Sequence, residues 1–366
     1  MRERRREIGF ALAILLAVPI GVACAELVAN KIEARQESGQ MNWAELRAAA
    51  AVNRPGPMVF RPGASFERLR FNNEGLRGPD IAVPTPPGTI RIMFTGDSKM
   101  FAAEVDENQT VPAQTIALLR ARHPQCHFDY ANMSGPGYTL PQMTQLMRGR
   151  LSRIDPSMIV LLGGSTLDLI GASSLGPMQS AAAAEPRHDQ THNRLGQLLE
   201  DSDAFELLQR ELLLLSPGTS PGPAARQSLA ELAQRQRLML GDLAAAIDGR
   251  PALAIAYRGR SEANESFAAY WLAARRLRQR FPGMNSDKAD AVRRLVIDEM
   301  QRQARSSGWR YIDPIASIAD NESAFLDRIH FSPIGHAHVA REVANAIGQA
   351  IEADCTIARP LPSGKM

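Results

Sequence analysis

The chain has little of what stacking surfaces, disulfide frameworks and nucleic-acid binding require. Only 5% of its 366 residues are aromatic and three are cysteine, whereas 45% are hydrophobic. This composition excludes a disulfide-rich scaffold and a disordered chain, and the length suits one large domain or two small ones. Four arginines and two glutamates among the first seven residues supply +2 of the net charge of +3. No basic patch suited to nucleic acid remains, so we predict no nucleic-acid partner.

A long apolar run follows these arginines. Residues 8–25, IGFALAILLAVPIGVACA, would form a helix about 27 Å long, close to the thickness of a bilayer core. The positive-inside rule keeps the arginines in the cytoplasm, so the rest of the chain would lie in the periplasm of a bacterium. We therefore predict a basic tip and signal anchor over residues 1–29 and a single-pass inner-membrane protein. Cleavage at Ala23-Cys24-Ala25, or acylation of Cys24, are the alternatives.

Export would place the two remaining cysteines, Cys126 and Cys355, in an oxidising compartment where thiols can pair. Cys126 stands just before a predicted strand and Cys355 follows the last predicted helix. Both cysteines are therefore expected at the end of the fold opposite the functional site. The sequence leaves two alternatives for these cysteines, a disulfide between them or two unpaired buried thiols.

Apolar runs and amphipathic segments alternate from residue 70 onward. The pattern predicts five strands and three helices: strands at Ile90–Thr95, Phe128–Ala131, Met158–Leu162, Leu253–Tyr257 and Trp309–Asp313, and helices at Val111–His123, Leu140–Ile154 and Ala337–Ile351. Such alternation is typical of an α/β protein, here a flavodoxin-like three-layer α/β/α domain with a central parallel sheet over residues 70–355.

Three further segments have a composition of their own. We predict a stem or linker over residues 30–69, where proline and glycine limit regular structure, and a tail over residues 356–366. We predict a helical insertion over residues 171–248, with a helix at 205–215. It is either a lid or partner surface, or a solvated excursion without a role. His188 and His192 have the spacing of a metal pair, but no further ligands lie nearby, so we predict no metal and no cofactor.

Two short blocks carry the chemistry. The strand at Ile90–Thr95 runs into Gly96-Asp97-Ser98, and the carboxyl ends of parallel strands form the ligand crevice. Asp327 and His330 stand three residues apart before the last helix. This spacing lets the carboxylate contact one imidazole nitrogen while the other nitrogen faces the Ser98 hydroxyl. We predict Ser98, Asp327 and His330 as a catalytic set.

These blocks resemble those of the SGNH hydrolases, also called the GDSL lipase/esterase family, in their membrane-anchored bacterial form. The segments FNNEGLRG at 71–78 and EVDENQTVPAQ at 104–114 are similar to those that flank the first strand in such members. The resemblance spans roughly residues 70 to 350 and implies an oxyanion hole formed by Ser98 and by two middle blocks. In the second block the family's glycine position falls on Ser134, one residue before Gly135, so the backbone N–H of either residue is a candidate second donor. In the third block Ser165 replaces the asparagine, and its hydroxyl is the candidate third donor.

Two hypotheses follow from this resemblance. The first is a periplasmic serine esterase or acyltransferase that acts on O-acyl groups, expected to be acetyl, of an envelope or exported glycan or of a small ester. The second is a catalytically impaired module of the same fold that binds an acylated glycan or an envelope assembly protein. The changed middle blocks favour the second hypothesis, and the intact Asp327 and His330 pair favours the first.

Overall fold

In the computed structural model, five parallel strands form the centre of the protein. The structure describes residues 43–52, 56–165, 168–169, 226–260 and 286–358. The described strands are β1 Ser65–Phe66, β2 Leu69–Arg70, β3 Thr89–Gly96, β4 His127–Asn132, β5 Met158–Leu162, β6 Ala252–Ile255 and β7 Arg310–Ile312. The described α-helices are α1 Trp43–Ala50, α2 Ser98–Phe101, α3 Val111–Arg122, α4 Leu140–Ile154, α5 Leu229–Ile247, α6 Ser286–Ser306 and α7 Pro333–Gly348.

The central sheet has the strand order β4-β3-β5-β6-β7. All four neighbouring pairs are parallel, and counting only these five strands the order is 2-1-3-4-5, as in flavodoxin-like folds. The register pairs Gly96 at the end of β3 with Leu162 at the end of β5. Residues that follow β3 and β5 therefore meet at the same edge of the sheet.

Side chains alternate between two buried faces of the sheet, as the two-residue period of a strand requires. Ile92 and Phe94 lie in the cluster that contains α3 and α7, whereas Met93 lies in the cluster that contains α4, α5 and the C-terminal half of α6. Helices cover both faces, which confirms the predicted three-layer α/β/α arrangement around a parallel sheet.

Part of the predicted stem belongs to this domain. Leu46 and Ala50 of α1 are fully buried, and Ala51 pairs with Phe60 across a β-bridge. The Phe60 ring stacks on Phe71, with centroids 4.0 Å apart. Aromatic and aliphatic burial thus anchors this stretch despite its proline and glycine residues.

Helix α5 also lies within the domain rather than in an insertion. Its residues Leu240, Leu243 and Ile247, at the C-terminal end of the predicted insertion at 171–248, are buried in the cluster against the sheet. The predicted helix at 205–215, the pair His188 and His192, and the apolar run at 8–25 lie outside the described residues. Within the part of the chain that the structure describes, no helix has both the length and the apolar character needed to span a bilayer.

A disulfide joins Cys126 to Cys355 across 229 residues of sequence. Cys126 directly precedes β4 and Cys355 follows α7. The bond thus lies near the amino ends of the strands, opposite the edge where Ser98 follows β3, and it decides between the two alternatives that the sequence left open.

Candidate active site

Ser98 stands at the first turn of α2, directly after β3. Asp97 is the N-cap of this short helix, and its side chain accepts a hydrogen bond of 3.1 Å from the backbone N–H of Lys99. A strand that ends at this cap presents Ser98 at the carboxyl edge of the sheet, where its side chain is half-buried. The Ser98 Oγ lies 2.9 Å from Nε2 of His330.

Asp327 and His330 lie on a tight loop before α7. Phe325 and Phe331 close this loop by a β-bridge. The Oδ2 of Asp327 lies 2.7 Å from Nδ1 of His330, and its Oδ1 accepts hydrogen bonds from the backbone N–H groups of Ile329 and His330 at 2.6 and 2.7 Å. Burial raises the pKa of Asp327, but these hydrogen bonds and the nearby imidazole outweigh it and lower that pKa to about 2. The carboxylate therefore stays charged and fixes the imidazole tautomer.

The imidazole of His330 has two carboxylates near it. Burial lowers the pKa of His330, but the hydrogen bond to Asp327 and the charges of Glu104, Asp327 and Asp97 outweigh burial and raise it above the usual value of 6.5. Glu104 Oε1 lies 4.0 Å from Nε2, the same ring nitrogen that faces Ser98. The structure thus brings Ser98, His330 and Asp327 into one chain of hydrogen bonds suited to activating the serine hydroxyl.

The structure separates the two candidates for the second oxyanion donor. The N–H of Gly135 donates to the carbonyl of Gly96 at 3.2 Å, so it is already occupied. Neither the N–H of Ser134 nor that of Ser98 donates to an acceptor among the described residues. Ser134 does not have a positive φ, so a serine fits where the family has glycine. Ser98 and Ser134 are the available backbone donors.

Gly135 has a packing role instead. A Cβ at this position would lie 2.3 Å from the Tyr138 ring, so only glycine allows the turn and the ring to pack together.

Ser165 follows β5 through the turn Gly163-Gly164, in which Gly164 has a φ of +75°. Its side chain is buried, and its Oγ makes no hydrogen bond within the part of the chain that the structure describes. A buried hydroxyl without a partner costs free energy unless a ligand or transition state supplies one. Ser165 thus follows β5 at the edge of the sheet that carries Ser98, with a hydroxyl that has no partner among the described residues.

A buried polar layer that the sequence analysis missed lies beneath the serine. The hydroxyl of Tyr257 donates to Oδ2 of Asp97 at 2.5 Å, and the ammonium of Lys99 lies 3.9 Å from the centre of the Tyr257 ring and donates to the carbonyl of Arg258. Burial raises the pKa of Asp97 and lowers that of Lys99 to about 8. These contacts hold the N-cap of α2, and thereby the backbone of Ser98, in place. Only the position of Lys99 next to the serine could have indicated this role.

No protein-family model and no curated protein matches the chain. Among solved structures, the chain is similar to a putative GDSL-like lipase from Parabacteroides merdae (11% identity, 71% of this chain and 95% of the other, TM-score 0.42). It is also similar to an acetylxylan esterase from Geobacillus stearothermophilus (14%, 71% and 94%, TM-score 0.39) and to a member of the lipolytic G-D-S-L family from Veillonella parvula (10%, 71% and 99%, TM-score 0.39). At these identities and TM-scores, the function has to be argued from the geometry of the site itself.

Proposed function

We propose that the protein is an SGNH-type serine esterase or O-acyltransferase that is anchored in the inner membrane and acts in the periplasm on O-acetyl groups of envelope or exported glycans. The observation that carries this proposal is the chain of hydrogen bonds from Ser98 through His330 to Asp327, with distances of 2.9 and 2.7 Å. A nucleophile, a base and a group that orients the base are the three parts that acyl transfer through a serine requires.

The first half-reaction forms an acyl-enzyme. The Oγ of Ser98 attacks the ester carbonyl while His330 Nε2 takes the hydroxyl proton, and Asp327 stabilises the resulting imidazolium. The carbonyl oxygen becomes an oxyanion, which the N–H groups of Ser98 and Ser134 and the hydroxyl of Ser165 stabilise. The bond to the leaving alcohol then breaks, and that alcohol takes the proton from Nε2.

The second half-reaction reverses these steps with a new acceptor. Either water or the hydroxyl of a sugar gives its proton to Nε2 and attacks the acyl-enzyme. Water makes the protein an esterase, and a sugar hydroxyl makes it a transferase. Ser98 recovers its proton when the second tetrahedral intermediate collapses.

Two observations support the proposed location. The arginines and the apolar run at the start of the chain have the order of a signal anchor. The disulfide between Cys126 and Cys355 is the kind of bond that persists in the periplasm and is rare in the cytosol. Membrane fractionation of cells that express the full chain, compared with a chain lacking residues 1–29, tests the anchor, and recovery of both proteins in the soluble fraction would contradict it.

Hydrolysis of p-nitrophenyl acetate by the full chain in detergent tests the activity. Ser98→Ala and His330→Ala should abolish turnover, whereas Ser306→Ala and His127→Ala, which change exposed residues far from the site, should retain it. A folded wild-type protein without turnover would contradict the enzyme and favour the binding module.

A series of p-nitrophenyl esters of increasing chain length tests the acetyl preference. Three large hydrophobic residues are exposed near His330: Leu326 and Ile329 in the loop that carries it, and Ile334 in the first turn of α7. If they bind acyl chains, activity will peak at longer esters, and the acetyl part of the proposal fails.

A further inference from the structure

A second carboxylate faces the imidazole on the side where the reaction takes place. Glu104 Oε1 lies 4.0 Å from Nε2 of His330, and Asp327 contacts the opposite nitrogen, Nδ1. A separation of 4.0 Å is too long for a hydrogen bond. The Glu104 side chain is 16% exposed, so it is partly buried yet still open to a ligand. Among the described residues, no lysine or arginine forms an ion pair with this carboxylate.

The backbone around Glu104 is held by two arginines. The side chain of Arg77 is fully buried and donates to the carbonyls of Phe101, Ala102 and Val105, the last at 2.6 Å. Arg68 donates to the carbonyl of Glu104 itself at 2.7 Å. Charge-assisted hydrogen bonds of this kind restrict the backbone strongly. The backbone that carries the Glu104 side chain therefore has a defined position before any substrate binds.

Nε2 is the atom that exchanges its proton with the leaving or accepting alcohol. The oxygen of that alcohol must come within hydrogen-bond distance of Nε2, about 3 Å, in order to receive or give the proton. The next carbons of the alcohol, and any hydroxyl or charged group on them, then lie close to Glu104. A carboxylate accepts hydrogen bonds from hydroxyl groups, attracts cations and repels anions.

We propose that Glu104 selects the alcohol: it binds a neighbouring hydroxyl of the leaving or accepting alcohol and excludes alcohols that carry an anionic group. The selected alcohol is thus a neutral polyol or sugar, and phosphorylated or carboxylated alcohols are poor partners. This inference rests on the proposed function, because it needs a working Ser98 and His330.

The experiment compares three acetate esters that differ in the charge of the alcohol: 1-acetylglycerol (neutral and hydroxylated), acetoxyacetate (anionic) and acetylcholine (cationic). For each ester, kcat/KM is measured with wild-type protein and with Glu104→Gln, which keeps the size of the side chain and removes its charge. We expect Glu104→Gln to raise the ratio of anionic to neutral ester by about 10- to 100-fold, as for like charges about 6 Å apart near a protein surface. The ratio of cationic to neutral ester should fall.

Glu352→Gln makes the same chemical change at an exposed position far from the site and should leave all three ratios as in the wild type. If Glu104 had a structural role alone, its replacement would change the three rates by the same factor. Unchanged ratios in Glu104→Gln would therefore overturn the inference while leaving the esterase intact. If the wild-type protein hydrolyses none of the three esters and Ser98 does not react with a fluorophosphonate, the proposed function itself has failed.

Discussion

Replacing Ser165 with alanine should lower activity without lowering stability. The hydroxyl is buried and makes no hydrogen bond with any residue that the structure describes. Leaving such a group unsatisfied costs about 1–3 kcal/mol, so its removal should leave the free energy of unfolding unchanged or raise it by about 1 kcal/mol. If the hydroxyl donates to the oxyanion, its loss should lower kcat by about 100- to 1000-fold.

Two measurements on Ser165→Ala are needed, kcat with p-nitrophenyl acetate and the urea-unfolding midpoint. Ser228→Ala is the matched control, because the Ser228 hydroxyl caps α5 through the N–H of Glu231 and lies outside the site. This control should lose about 1 kcal/mol of stability and keep its kcat. An unchanged kcat in Ser165→Ala would refute the role of this hydroxyl in the oxyanion hole. A clear loss of stability would refute the claim that it lacks a partner in the free protein.

Four further predictions concern the base, the carboxylate that orients it, the disulfide and the buried arginine. His330 must be neutral to accept a proton and its pKa is raised, so kcat/KM should rise with pH through a midpoint above 6.5. A midpoint well below 6.5 would contradict the contacts of this imidazole with Asp327 and Glu104. Asp327→Asn should lower kcat by up to about 10⁴-fold. Replacing Cys126 and Cys355 together with serine should cost about 2–4 kcal/mol in urea unfolding, and equal midpoints would refute the bond. Arg77→Met should cost about 3–5 kcal/mol because it leaves buried acceptors unpaired, which a calorimetric scan checks through a fall in Tm.

Local patterns were enough to predict several elements. Leu140–Ile154 and Met158–Leu162 have the bounds predicted from the sequence, because a helical period and an uninterrupted apolar run end there at clear turn signals. The contact between Asp327 and His330 is likewise local, because the two residues stand three positions apart in one loop.

Contacts between distant segments could not be predicted in this way. Tyr257 reaches Asp97 across 160 residues, and the approach of Glu104 to His330 depends on how two loops meet above the sheet. The choice between Ser134 and Gly135 depended on which N–H the carbonyl of Gly96 uses, a detail that no sequence period encodes.

The packing of α1 and of the stacked ring of Phe60 onto the domain could not be predicted from the sequence for a different reason. The proline and glycine residues of that stretch indicated a linker, but burial of Leu46 and Phe60 outweighs the local preference for irregular structure.

The most direct test of the central claim is whether Ser98 is an activated nucleophile. The full chain is treated with a fluorophosphonate probe, and the labelled residue is located by mass spectrometry, beside Ser98→Ala and His330→Ala. The proposed site predicts that the label is found on Ser98 alone, that it is absent in Ser98→Ala and that it is strongly reduced in His330→Ala. A folded protein that remains unlabelled, or labelling that persists in both variants, would contradict it.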